Sequence, residues 1–116
     1  ELMIVLVKDL PERAFADLRI IQENPAAPAA MRDYSVQHIG ELVTKAIAGA
    51  EGADYLWQTL GQNDPATLST TLITLHLLSA EKPGLVSASR VAEAAQSLLS
   101  HPDLRTQITA KSILRK

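Results

Sequence analysis

The chain has 116 residues, 47% of them apolar, a net charge of −2 and no cysteine. These figures describe a single domain with an aliphatic, alanine-rich core, because the aromatic residues are only Phe15, Tyr34, Tyr55 and Trp57. They exclude disulfides, thiolate metal sites and cysteine nucleophiles. They also count against a broad basic face for DNA or RNA, since no Lys/Arg cluster precedes Arg115-Lys116.

The run Leu2–Val7 is too short to span a bilayer. It is read as a short helix that starts a stack, or as the remnant of a longer apolar segment such as a signal peptide. Glu1 in place of a methionine suggests a piece of a longer chain. Pro11 suits the first turn of a helix, where a missing N–H costs little, and Glu12 adds a favourable charge. Ala14, Phe15, Leu18 and Ile21 then fall at helical spacing, giving a helix over about 11–23 that Asn24-Pro25 stops.

Pro28 opens the next helix, about 29–48, with Met31, Val36, Ile39, Val43, Ala46 and Ile47 as its apolar stripe and Gly49 and Gly52 as its end. A short helix over 53–61 follows, with Tyr55, Leu56 and Leu60 inward and Gly61 as its stop. Asp64-Pro65 begins a helix to about 80 that carries no charge from Pro65 to Ala80. Such a helix is expected to have neighbours on several sides. Its threonines, His76 and length argue against a membrane span. Lys82-Pro83-Gly84 is a loop. Ser87 caps a helix to about 99 with Val91, Ala94, Ala95, Leu98 and Leu99 on one face. Pro102-Asp103 opens the last helix, to about 115, with Leu104, Ile108, Ile113 and Leu114 as a poorer stripe.

Pro28, Pro65 and Pro102 stand 37 residues apart, each in the turn between two helical runs. A period of roughly 20–50 residues marks a stacked repeat architecture. The expected fold is an all-α superhelix, a solenoid of about three antiparallel helix pairs over 11–48, 53–80 and 87–115.

Met31-Arg32-Asp33-Tyr34-Ser35-Val36 and Asp103-Leu104-Arg105-Thr106-Gln107-Ile108 resemble the start of the second helix of a HEAT repeat. The resemblance covers about residues 11–116. It implies that Arg32 and Arg105 tie repeats together by bonding to an acidic residue or turn, with Asp33, Asp64 and Asp103 as the acidic candidates. The middle repeat departs from the pattern at Ser69, where the tie is expected to be absent or replaced by hydroxyl hydrogen bonds. Lys111 and Ser112 depart where the family has Ala and Leu.

No Gly-x-Ser-x-Gly turn and no glycine-rich phosphate loop occurs. His38 and His76 fall at near-equivalent places on adjacent second helices. With Glu41 they would be the only metal candidates, but no pair has the i, i+4 spacing of a helical site, so both are read as polar residues at helix edges. No catalytic residue, metal or cofactor is expected.

The reading is therefore a non-catalytic protein–protein interaction or scaffold module. A partner segment would be buried on the second helices, around 31–47, 68–79 and 104–114. Trp57, Tyr34, Gln37, His38 and His76 are candidate contacts, with Trp57 otherwise packing at the junction of the first two repeats. The resemblance leaves two alternatives. One is a HEAT-like enzyme or enzyme subunit, of DNA glycosylase or chromophore lyase kind. The other is a structural segment that associates with further repeats or with itself. A soluble protein is expected, with the cytoplasm slightly favoured.

Overall fold

The computed structural model describes residues 11–45, 49–62 and 64–115. The opening run 2–9, together with Ala46, Ile47 and Asn63, lies outside the described residues. All regular structure among the described residues is helical: α1 (Pro11–Glu23), α2 (Ala29–Thr44), α3 (Gly49–Gly61), α4 (Pro65–Glu81), α5 (Ala88–Ser97) and α6 (Leu104–Leu114).

Turn chemistry explains the hairpins. Asn24 precedes Pro25 and so is pushed out of the helical region, and its Oδ1 accepts from the Ala26 N–H at 3.0 Å. Ser87 caps α5 by accepting from the Arg90 N–H at 3.4 Å. Asp103 caps α6 by accepting from the Thr106 N–H at 3.0 Å.

The expected boundary between the second and third helices needs correction. Helix α2 ends at Thr44, and α3 begins at Gly49 with Gly52 buried inside it. Only Gly49, at φ 53°, uses the left-handed conformation that breaks a helix.

Each helix touches its own partner and the adjacent pair. Within pairs α1 meets α2, α3 meets α4 and α5 meets α6, and the short turns make these antiparallel. Between pairs, α2, α4 and α6 form a continuous row, with α3 also against α2 and α5 also against α4. Gly40 of α2 lies against Thr74 of α4, and further along Thr44 bonds to Glu81. Residue numbers rise together on the two helices, so these second helices run parallel, as neighbouring repeats of a superhelix require. The extents are 39 × 33 × 19 Å, the smallest about two helices deep at a usual separation of about 8–10 Å.

The core is distributed along the row. One cluster joins Ala14 and Leu18 of α1, Val36, Ile39, Leu42 and Val43 of α2, Leu56 of α3 and Leu75 and Leu78 of α4. A smaller one joins Leu72 of α4 to Ala95 of α5 and Ala110 of α6, and Leu60 and Ile113 pack against both. Each fully buried leucine contributes about 1.5–3 kcal/mol.

Helix α4, uncharged from Pro65 to Ala80, is enclosed by α2, α3, α5 and α6. Thr71 and Thr74 each donate to the carbonyl one turn back at 2.8 Å, whereas the buried Thr67 hydroxyl has no partner. Two assigned inward faces are corrected. Met31 is exposed on α2, and α6 turns Leu104 and Ile108 outward while burying Thr106 and Ala110. The Asp103 cap sets the start of α6, and the face that then meets α4 and α5 holds Thr106, Ala110 and Ile113.

Candidate binding groove on the second helices

A groove of about 600 Å³ runs along the row of second helices. One wall is α2, with Asp33, Gln37, Gly40, Glu41, Thr44 and Lys45. The other is α4, with Thr70, Ile73, Thr74, Leu77, Leu78 and Glu81, and Arg105 of α6 closes one end. Positions 33, 37, 40, 41 and 44 recur at three- and four-residue steps, so they form one helical face, as do 70, 73, 74, 77 and 81.

Ile73 and Leu77, one turn apart, are 42% and 58% exposed, although the rest of α4 is largely buried. Gly40 on the facing helix is buried against Thr74. The middle of the groove is thus apolar and shallow-walled, and its two ends are charged.

Side-chain ties hold the walls. Arg32 donates from Nη1 to Asp64 in the turn of the next pair, and from Nε to the Ala27 carbonyl of its own turn at 3.4 Å. Arg105 donates from Nη2 to Thr70 Oγ1 at 3.2 Å and lies 3.5 Å from Asp33 Oδ2, so its guanidinium reaches across α4 to the first pair. Ser69 and Thr109 share a hydroxyl–hydroxyl bond of 2.6 Å between α4 and α6. At the far end Thr44 Oγ1 donates to Glu81 Oε2 at 3.2 Å.

Asp103 is corrected from an inter-repeat tie to a local one. It accepts from the N–H and, at 2.8 Å, from the hydroxyl of Thr106, because it stands at the N-cap of its own helix. These two bonds hold its carboxyl below the usual carboxylate value.

The residues singled out as partner contacts are dispersed. Gln37 lines the groove. Tyr34 is exposed beside it and stacks on His38, ring centroids 5.5 Å apart. His38 is largely covered, its Nδ1 3.5 Å from Glu41 Oε2, and neither ring nitrogen has a hydrogen-bond partner. His76 is half-buried on α4 and does not line the groove.

Trp57 lies elsewhere, packed against the larger core cluster on α3 where the second pair meets the third. The Arg90 guanidinium of α5 sits 4.0 Å from its ring centroid, beside a notch of about 380 Å³ with Leu60 and Glu93. Tyr55, two positions earlier, is buried against Phe15 and donates to Gln22 Oε1 at 2.6 Å.

The apolar floor of Ile73 and Leu77 escaped the sequence reading because every face of α4 is apolar or hydroxylated, so periodicity could not single out one strip. The register could have. The groove positions Gln37, Gly40 and Thr44 fall at Thr74, Leu77 and Glu81 when advanced by the 37-residue period.

Among the described residues no three His, Asp or Glu side chains come together as a metal-binding group. No helix among them is long and apolar enough to cross a membrane. No family model matches the chain, and neither the curated proteins nor the solved structures yielded a match.

Proposed function

We propose that this protein is a non-catalytic interaction module of HEAT-like helical repeats, which holds a segment of a partner protein in the groove of α2, α4 and α6. The observation that carries the reading is the exposed pair Ile73 and Leu77 in the floor of a groove built from parallel second helices. Apolar side chains left open in a concave face, rimmed by polar groups, are what a partner's burial would use. The HEAT-like part is supported by Arg32, which starts a second helix and bonds to the turn of the next pair. The lining holds the carboxylates of Asp33, Glu41 and Glu81 against the cations of Lys45 and Arg105, which weighs against a phosphate-binding, glycosylase-like role.

The test is an affinity capture from native extract with two baits, the wild type and Ile73→Glu/Leu77→Glu. A protein retained by the first and lost by the second, with helical circular dichroism unchanged, is the expected result. Identical captures by both baits would remove the groove from the function.

A second reading, a structural segment that stacks on further hairpins or a second copy, is favoured by Leu104 and Ile108, 67% and 58% exposed on α6. Sedimentation of the wild type against Leu104→Glu/Ile108→Glu tests it. An association that grows with concentration and disappears in the variant supports it, and a monomer throughout rejects it.

A further inference from the structure

We infer that the occupant of the groove is an amphipathic helix of a partner protein, carrying two apolar anchors one turn apart and basic side chains beside them toward Glu41 and Glu81. This rests on the groove being the functional site and adds the chemistry of what fills it.

The walls decide between a helix and an extended strand. Both are helices whose backbone N–H and C=O groups are already paired within the helix. Ile73 and Leu77 offer no hydrogen bonds, so an extended segment laid across them would leave its own peptide groups without partners. A helix brings its backbone satisfied and needs to present only side chains. Gly40, buried against Thr74, lets α2 and α4 approach closely, so the anchors would rest on the exposed Ile73 and Leu77 themselves.

Charge decides the polar face. At one end Glu41 on α2 and Glu81 on α4 face the groove from opposite walls, and the bond from Thr44 fixes Glu81 in place. Lys45 is the single cation among the lining residues there. At the other end Arg105, bonded to Thr70, offsets Asp33, whose Oδ1 is buried and out of a ligand's reach. The Glu41–Glu81 end therefore attracts cations, and an acidic segment would meet like charge there.

Fluorescence anisotropy with labelled synthetic peptides tests the inference. The probe is a helix-forming alanine-based panel with paired Leu, Ile or Phe anchors four residues apart and flanking lysines. Its controls replace lysine by glutamate, or the anchors by serine. The lysine panel is expected to bind and to weaken with added salt. It should lose about tenfold in affinity to Glu41→Lys/Glu81→Lys, since exposed pairs contribute up to about fivefold each. It should also lose binding to Ile73→Glu/Leu77→Glu.

Glutamate peptides that bind as well as the lysine panel, and still fail on Ile73→Glu/Leu77→Glu, would overturn the charge assignment and leave the groove standing. A lysine panel that binds both protein variants undiminished would show attachment elsewhere and overturn the inference. A panel that does not bind at all, when affinity capture still loses its partner on Ile73→Glu/Leu77→Glu, would overturn the helical occupant alone.

Discussion

Gly40 lies in the interior of α2, where glycine costs about 1 kcal/mol relative to alanine, so its presence calls for a packing reason. A Cβ built at Gly40 would lie 2.5 Å from Thr74 Cγ2 on the neighbouring second helix. Thr74 cannot turn aside cheaply: it is β-branched, and its hydroxyl is bonded to the Thr70 carbonyl at 2.8 Å. Gly40→Ala therefore combines an overpacking cost of about 1–3 kcal/mol with a helix gain of about 1 kcal/mol. The net loss should be about 1 kcal/mol, a fall in Tm of about 4 °C for a domain of this length.

Thr74→Ser keeps the hydroxyl bond and removes the offending methyl, at a cost of about 1 kcal/mol for the lost packing. In the double variant the new alanine methyl fills the vacated space and the helix gain is retained. Its stability should return to the wild-type value or exceed it, a favourable coupling of about 2 kcal/mol. Urea unfolding followed by circular dichroism on all four proteins measures the cycle. Additive losses, or a single Gly40→Ala variant more stable than the wild type, would show that the two helices do not meet as described.

Arg32→Met should cost about 1–3 kcal/mol in urea unfolding, because the side chains of Arg32 and Asp64 are only 18% and 31% exposed. Arg105→Met should stay within about 1 kcal/mol, since Arg105 is 56% exposed and 3.5 Å from its carboxylate, and the same unfolding series compares them. Burial, and then the neighbouring Glu23 carboxylate, raise the Tyr55 hydroxyl above its ordinary value of 10. The neutral form is favoured in the fold, so this stability is intact below pH 10 and is lost as pH rises beyond it. Melting against pH should show an alkaline decline that Tyr55→Phe flattens, while the same change leaves buried Gln22 without its donor and costs about 1–3 kcal/mol at neutral pH. Asp103 has the opposite sign: its depressed carboxyl stabilises α6 above its ordinary value of 3.8, and the contribution is lost as pH falls below it. Asp103→Asn, which can still cap, should match the wild type near neutrality and lose that part of the acid sensitivity.

The architecture was legible because two signals agreed. Proline at the start of α1, at the N-cap of α2 and at the start of α4 fixed where helices begin, and the 37-residue spacing implied equivalent hairpins. What could not be read was which strip of a helix stays open. Helix α4 offers Leu68, Leu72 and Leu75 to the core and Ile73 and Leu77 to the groove, and composition alone gives these faces the same weight. The surroundings of Trp57 were hidden for a related reason. A lone tryptophan invites an interface role, but Arg90, 33 residues later, stacks on its ring, and no local pattern connects them. The arginines were more informative because their chemistry is specific: a guanidinium near a helix start, with a carboxylate in the next turn, has few other ways to be satisfied.

One helix couples stability to binding. Helix α4 touches both other pairs, so neither pair can separate without breaking contacts to it, and the stack should unfold as a unit. Its circumference is covered by α2, α3, α5 and α6 except along the strip of Ile73 and Leu77. A partner helix laid on that strip would complete the enclosure of the helix on which the whole fold depends. Its binding free energy would then be felt by all three pairs together, raising one shared melting transition by an amount that grows as the logarithm of ligand concentration over Kd. Separate transitions for the pairs, with only one moved by the ligand, would mean that α4 does not unite the stack.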